Sequence, residues 1–120
     1  MKKIDTTWKL LIAYIFVILL IAVAHPARAQ MKVMYFNAAW NAGNDVTWVD
    51  ELKEITTKKY VDIGTDKEAQ GKYQIAVIPT IIIFKDGEEV KRFQADLSFK
   101  MAATREEVQE EIDNILMSDF

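Results

Sequence analysis

The chain has 120 residues, of which 51% are hydrophobic and 28% are charged, and its formal net charge is −3 at pH 7. This length suits a single domain with a core of ordinary size. Because the chain contains no cysteine, it can form no disulfide, supply no thiolate nucleophile and offer no cysteine ligand to a metal or cluster. We accordingly predict no cofactor and no metal site.

The first residues have the pattern of an export signal. Lysines near the N-terminus precede an uncharged apolar run over residues 10–24, which His25 and Pro26 interrupt, and Ala27-Arg28-Ala29 then has the small-x-small form of a signal peptidase site. As a helix the apolar run would span about 22 Å, less than the roughly 30 Å core of a bilayer. We therefore predict a signal peptide over residues 1–29 and export to the periplasm or the extracellular space. An uncleaved membrane anchor over residues 10–24 is the alternative.

The predicted mature domain, residues 30–120, is acidic. The preceding segment carries a net charge of +3, so the −3 of the whole chain leaves −6 for the domain. Binding to a nucleic-acid backbone requires clustered Lys and Arg side chains, so we expect no nucleic-acid partner. A membrane contact is expected only if the apolar run stays uncleaved, and the sequence leaves the oligomeric state open.

Hydrophobic periodicity and turn residues divide the domain into strands and helices. In chain order we predict a strand at 32–37, a helix at 45–57, a strand at 59–63, a short helix at 67–73, strands at 80–85 and 88–93, and a helix at 104–118. Trp48, Leu52 and Ile55 recur at α-helical spacing, and Asp86-Gly87 is a preferred hairpin turn. The order β-α-β-α-β-β-α predicts an α/β fold, with helices on the faces of one four-stranded mixed sheet.

The segment Ala-Ala-Trp-Asn-Ala-Gly-Asn, residues 38–44, lies between the first strand and the first predicted helix. Such a turn exposes backbone N–H groups and the positive end of the helix dipole, which makes it a frequent place for chemistry. With cysteine at positions 41 and 44 the turn would be a thiol–disulfide site. Both positions hold asparagine.

Three motifs occur in the order and approximate spacing that thioredoxins have. Ala38-Ala39-Trp40 closes the first strand, Ile78-Pro79-Thr80 introduces the third, and Phe84-Lys85-Asp86-Gly87 makes the hairpin. The chain resembles the thioredoxin family over about residues 31–118. The resemblance implies a minimal thioredoxin-like three-layer α/β/α fold, without the additional N-terminal strand and helix of full-length thioredoxins.

The resemblance also implies that the peptide bond before Pro79 is cis and that this proline packs beside the 38–44 turn. The family's reactive cysteine pair falls on Asn41 and Asn44, and the buried acid that handles protons during exchange falls on Tyr35. Thiol–disulfide exchange proceeds only through attack by a thiolate. We therefore predict no catalytic residue and no thioredoxin-type redox catalysis by this chain.

Three functions remain open for such a domain. In the first, it binds an extended peptide or a partner protein through the turn and through main-chain groups before the proline. The residues predicted for that site are Trp40, Asn41, Ala42, Gly43 and Asn44 of the turn and Ile78, Pro79 and Thr80 of the proline loop. In the second, the turn is vestigial and other surfaces make structural contacts. In the third, the turn serves a non-thiol enzyme, although residues 30–120 hold no histidine to act as a base.

Overall fold

The computed structural model describes residues 29–118. The predicted signal or anchor segment therefore lies outside the described residues, except for Ala29. Between residues 29 and 118, no helix is both long enough and apolar enough to cross a membrane.

Four strands, two α-helices and two 3₁₀ helices make up this part of the chain. The strands are β1 (Met31–Asn37), β2 (Thr57–Asp62), β3 (Thr80–Lys85) and β4 (Glu88–Gln94). The α-helices are α1 (Lys67–Lys72) and α2 (Arg105–Met117). The 3₁₀ helices, Ala39–Asn44 and Thr47–Glu51, both lie between β1 and β2.

The strands form one sheet in the order β2-β1-β3-β4. β1 is parallel to β2, with Tyr35 opposite Tyr60, and antiparallel to β3. β3 and β4 form a hairpin whose turn residues Asp86 and Gly87 both have positive φ angles, 50° and 87°, as the twist of a two-residue hairpin requires. The predicted four-stranded mixed sheet is confirmed.

Both faces of the sheet are covered. Alternate residues of β1 point to opposite sides and enter two separate cores. The first core lies under α2 and the second 3₁₀ helix, and its buried members are Met31, Val33, Tyr35, Val46, Val49, Leu52, Ile81, Ile83, Val108, Ile112 and Ile115. The second core lies under α1 and the proline loop, and its buried members are Met34, Phe36, Ala38, Val61, Ala69, Ile75, Ile78 and Ile82. The arrangement is the predicted three-layer α/β/α fold.

Both α-helices begin at side-chain caps. The Thr104 hydroxyl accepts a hydrogen bond from the Glu107 N–H at 3.2 Å, as the capping-box pattern predicts. The Asp66 carboxylate accepts from the Ala69 N–H at 3.1 Å at the start of α1. Each cap satisfies one of the N–H groups that the first helical turn leaves without an intrahelical partner.

The α-helix predicted over residues 45–57 is wrong. Val46 is extended, the chain then forms only the 3₁₀ helix Thr47–Glu51, and Leu52 is extended again. The buried residues of this segment are Val46, Val49 and Leu52. They recur every three residues, which is the period of a 3₁₀ helix, whereas the α-helical period is 3.6.

Two local features prevent an α-helix in this segment. At its start, the Val46 N–H donates to the Tyr35 hydroxyl oxygen at 2.8 Å, and the Asp45 carboxylate bonds to Tyr35 and Asn37, so the chain is tied to β1. Near its end, Glu54 has a φ of 65°, a left-handed conformation that an α-helix of L-residues does not contain. The helix dipole expected behind the preceding turn is therefore missing from the described domain.

Candidate binding site

The turn after β1 is the 3₁₀ helix Ala39–Asn44, which is kinked at Asn41. Because a 3₁₀ helix has three residues per turn, side chains three positions apart lie on the same side. Asn41 and Asn44 therefore meet, and the Asn44 Nδ2 group donates to Asn41 Oδ1 at 2.9 Å. The two positions on which the family's cysteine pair falls are thus joined by an amide–amide hydrogen bond.

A polar network continues from Asn41, which is only 5% exposed, into the end of β1. The Asn41 Nδ2 group donates to Asn37 Oδ1 at 3.1 Å and to the Phe99 carbonyl at 3.2 Å. Asn37 in turn donates to Asp45 Oδ1 at 3.0 Å and to the Tyr35 hydroxyl oxygen at 3.2 Å. Among the described residues, no buried side-chain N or O atom lacks a partner, so the buried polar side chains of the turn are all hydrogen-bonded.

Tyr35 lies at the centre of this network. Its hydroxyl donates to the Asp45 carboxylate and accepts from the Val46 N–H at 2.8 Å. Burial, together with the bond to Asp45, raises the pKa of the Tyr35 hydroxyl above its ordinary value, so the group stays protonated at neutral pH. A neutral phenol therefore occupies the position where the resemblance places a buried acid.

Trp40 faces outward from the turn. It is 68% exposed, and its ring meets the Phe99 ring edge to face with the two centroids 5.2 Å apart. Phe99 is itself partly exposed, and Leu97 of the same loop is almost fully exposed. We name Trp40, Leu97 and Phe99 the Trp40 patch. Two of its three members come from the connector after β4, in which the sequence shows no clear pattern.

The loop that carries Phe99 is held by the Asp96 carboxylate. Asp96 Oδ1 accepts from the Ser98 hydroxyl at 2.6 Å, the Ser98 N–H at 2.8 Å and the Lys100 N–H at 3.2 Å. These bonds, the Ser98 hydroxyl first, lower the pKa of the Asp96 carboxyl. Phe99 has a φ of 63°, which is uncommon for an aromatic residue. The loop holds this conformation while the Phe99 carbonyl binds Asn41 and its ring supports Trp40.

The proline loop lies beneath the surface. The Ile78–Pro79 peptide bond is cis, the isomer that the resemblance implies. Ile78 is 2% exposed, Pro79 and Thr80 are fully buried, and the Pro79 carbonyl accepts from the Ala95 N–H at 3.0 Å. That bond joins the proline to the base of the loop that carries Phe99. The side chains of the proline loop therefore lie in the interior beside the site, and contact with a partner through the main-chain groups before Pro79 stays a prediction.

A pocket of about 320 Å³ lies beside the turn, at the carboxyl ends of β1 and β2. Its lining residues are Tyr35, Asn37, Ala38, Ala39, Ala42, Asp45, Tyr60, Val61 and Asp62. Sequence reasoning missed this pocket, because Asp45 and Asp62 come together only when β2 pairs with β1. Within the described range, no three His, Cys, Asp or Glu side chains converge in a way that could hold a metal ion.

Comparison with known proteins gives similarity to thioredoxins. The chain is 39% identical to the chloroplastic thioredoxin Y1 of Arabidopsis thaliana over 55 residues, which are 46% of this chain and 28% of that protein. It is 40% identical to a thioredoxin of Mycobacterium tuberculosis over 48 residues, which are 34% of this chain and 41% of that protein. The chain therefore spans less than half the length of these relatives. No family model matches it.

Solved thioredoxin structures match the fold over most of the chain. A structure of thioredoxin-2, described as a component of malaria parasite protein secretion machinery, has a TM-score of 0.58 at 19% identity and covers 74% of this chain and 86% of that one. A mutant thioredoxin from Halobacterium salinarum has a TM-score of 0.57 at 18% identity and covers 71% and 74%. At such identities the likeness shows the fold alone. The described domain has a thioredoxin-like fold, of which this chain, without cysteine, is a divergent example.

Proposed function

We propose that the chain is an exported, redox-inactive thioredoxin-like protein that binds an extended peptide segment, free or within a partner protein, at the Trp40 patch. The observation that carries this proposal is the 68% exposure of Trp40 on a turn whose buried polar side chains are all hydrogen-bonded. The turn is rigid where it faces inward and apolar where it faces solvent. That combination suits a docking surface.

An exposed tryptophan on a rigid base is a favourable contact for a partner. Tryptophan buries a large apolar area and keeps an N–H for a hydrogen bond, and it is among the residues that dominate binding energies at interfaces. The edge-to-face contact with Phe99 restricts the indole ring before binding, which reduces the entropy lost when a partner covers it. Adjacent exposed apolar side chains on an acidic domain are typical of an interaction surface.

The predicted site residues take two different roles in this proposal. Trp40, Ala42 and Gly43 are exposed and contact the partner. Asn41, with the proline loop beneath it, is buried and keeps the turn and the Phe99 loop in register. The alternative function, with a vestigial turn, would be favoured by a Trp40 that packs inward, and the observed exposure of Trp40 argues against it.

Redox inactivity is tested by a thiol–disulfide exchange assay. The chain has no thiol to attack a disulfide, and exchange requires a thiolate. We expect the purified protein to leave the rate of insulin reduction by dithiothreitol unchanged. Acceleration above that background would contradict this part of the proposal.

Export is tested by the N-terminus of the protein recovered outside the cytoplasm. Cleavage after Ala29 follows from the small-x-small pattern, and it should give a chain that begins at Gln30. Intact-mass measurement of the exported protein distinguishes this chain from the uncut one. An uncut chain recovered with membranes would instead support the anchor over residues 10–24.

Peptide binding is tested with a carboxymethylated, permanently unfolded model protein as the probe. Trp40→Ala should weaken binding about tenfold or more, because it removes the central contact. Met117→Ala is the matched control, since Met117 is 67% exposed and lies at the far end of α2. Titration calorimetry measures both affinities. Equal binding by the Trp40→Ala variant and the unchanged protein would refute the Trp40 patch as the site.

A further inference from the structure

The pocket beside the turn differs chemically from the Trp40 patch. Two aromatic rings, Tyr35 and Tyr60, meet edge to face in its wall with centroids 6.0 Å apart. Two carboxylates, Asp45 and Asp62, also line it, and none of its lining residues is basic. The domain around it is acidic overall. The pocket therefore offers negative charge and aromatic surface together, which is an environment for a cation.

We propose that this pocket receives the Lys or Arg side chain of the same extended segment whose apolar side chain covers Trp40. The inference rests on the proposed function and names the chemistry of its partner. The partner segment carries a basic residue within one or two positions of an apolar one. Charge complementarity selects this occupant over a neutral or an acidic segment.

The geometry of the turn places the two surfaces next to each other. Ala39 and Ala42 line the pocket, and as residues three apart in a 3₁₀ helix they lie on one side of it. Trp40 and Gly43 follow each of them by one residue and so lie on the adjoining side. An extended chain rises about 3.3 Å per residue, so neighbouring residues of one segment reach both surfaces.

Each carboxylate keeps an oxygen for the ligand. Asp45 uses Oδ1 for its bonds to Tyr35 and Asn37, and Asp62 uses Oδ1 for the Gly64 N–H at 2.8 Å. The other oxygen of each accepts no hydrogen bond from the described residues. A lysine ammonium or an arginine guanidinium supplies donors to such oxygens.

The electrostatics of Tyr60 agree with a negative pocket. Burial raises the pKa of the Tyr60 hydroxyl to about 12, together with its hydrogen bond to Asp50 and the charges of Asp50 and Asp45. The charged groups that act on this hydroxyl are thus both aspartates. With only two carboxylates and no third convergent ligand among residues 29–118, the pocket suits an organic cation better than a metal ion.

The test uses three short blocked peptides that are identical except at one position beside a central leucine, which holds Lys, Gln or Glu. Titration calorimetry with the purified protein should give the tightest binding for the Lys peptide, by about threefold to tenfold over the Gln peptide, and the weakest for the Glu peptide. Added salt should reduce the difference, because the ion pairs lie near the surface.

Two charge-neutralising variants locate the effect. Asp62→Asn keeps an oxygen for the Gly64 N–H and removes one of the two carboxylate charges of the pocket, so the preference for Lys over Gln should fall by about twofold or more. Glu110→Gln removes the same charge from an exposed site on α2 and should leave the preference unchanged. An undiminished preference in Asp62→Asn would overturn the assignment of this pocket.

The outcomes separate this inference from the proposed function. If all three peptides bind equally and Trp40→Ala weakens the binding of each, the pocket does not bind a basic side chain, and the Trp40 patch remains the proposed binding site. If no peptide shows binding that depends on Trp40, the proposed function itself fails. A Lys preference that is reduced in Asp62→Asn and kept in Glu110→Gln supports both.

Discussion

Strand β1 passes through two different interiors. Over Val33 and Met34 its side chains are fully buried among aliphatic residues of β3 and the helices. Over Tyr35 and Asn37 the side chains enter a hydrogen-bonded network that includes the Asp45 carboxylate. The aliphatic interior depends on volume and shape, whereas the polar end depends on individual donors and acceptors.

This contrast shows how a thioredoxin-like fold is held together without cysteine. The sheet is stabilised by the burial of apolar surface, which makes no use of sulfur. At the two positions on which the family's cysteine pair falls, the turn holds Asn41 and Asn44, whose amides bond to each other and to their surroundings. The described turn therefore has a hydrogen-bonded scaffold that contains no sulfur.

The largest effect on stability is expected in the aliphatic interior. Ile82 is fully buried at the centre of β3, so Ile82→Ala should lower the free energy of unfolding by about 2–5 kcal/mol. Val90→Ala on the exposed edge strand is the control and should change it by about 0.5 kcal/mol or less. Urea denaturation measures both. Similarly small losses of unfolding free energy in both variants would mean that Ile82 does not lie in a tightly packed core.

The next effect is expected at the centre of the polar network. Tyr35→Phe removes the hydroxyl and leaves the buried Val46 N–H without its acceptor, which should cost about 1–3 kcal/mol of unfolding free energy. Tyr73→Phe is the control, because that ring packs on Phe36. Urea denaturation compares the two variants, and equal losses would show that the Tyr35 hydroxyl contributes no stability.

The raised pKa of Tyr35 also makes the free energy of unfolding depend on pH in the alkaline range. Its pKa is raised in the folded state, so its contribution is present below the ordinary tyrosine pKa of about 10 and is lost as the pH rises through the folded value. The free energy of unfolding should therefore fall above about pH 10, and it should fall less steeply in Tyr35→Phe. If the free energy of unfolding fell equally steeply with pH in the unchanged protein and in Tyr35→Phe, the loss would belong to a group other than Tyr35.

A smaller effect is expected at the edge of the network. Asn44 is half-buried and makes one amide bond to Asn41, so Asn44→Ala should lower the free energy of unfolding by about 0.5–1.5 kcal/mol. Asn114→Ala on the exposed face of α2 is the control and should leave stability nearly unchanged. A loss as large as that of Tyr35→Phe would mean that the two amides form the centre of the network.

The smallest effect concerns the loop that supports Trp40. The pKa of the exposed Asp96 carboxyl is lowered by its bonds to Ser98 and Lys100, so these bonds are present above the ordinary aspartate pKa of about 4 and are lost as the pH falls through the folded value. NMR should show the Ser98 and Lys100 amide shifts titrating together in acid. Asp96→Asn should abolish that titration, and its persistence would assign it to another group.

The parts of the fold that were predicted correctly are those with strong local patterns. The apolar run of β3, the Asp86-Gly87 turn and the Thr104 cap each determine their structure through nearby residues. The segment after the turn was mistaken for an α-helix because Trp48 and Ile55 matched the helical period. The start of this segment depends on hydrogen bonds that join Asp45 and Val46 to the Tyr35 side chain of β1. The spacing of apolar residues does not reveal these bonds.

The candidate site was only partly predictable for the same reason. The sequence placed Trp40 on a turn but left open whether its ring faces solvent, and its support by Phe99 depends on a loop that lies about sixty residues away in sequence. Asp45 and Asp62 line the same pocket because β1 pairs with β2. Such contacts arise from tertiary structure and leave no spacing in the sequence.

We propose that the turn of this thioredoxin-like domain is a docking surface. It is tested most directly by NMR chemical-shift mapping of the labelled protein during titration with the Lys peptide. We expect saturable shifts at Trp40, Gly43 and Phe99, with a further group at Tyr60 and Asp62. Shifts confined to α2, or no shifts at a large excess of peptide, would contradict it.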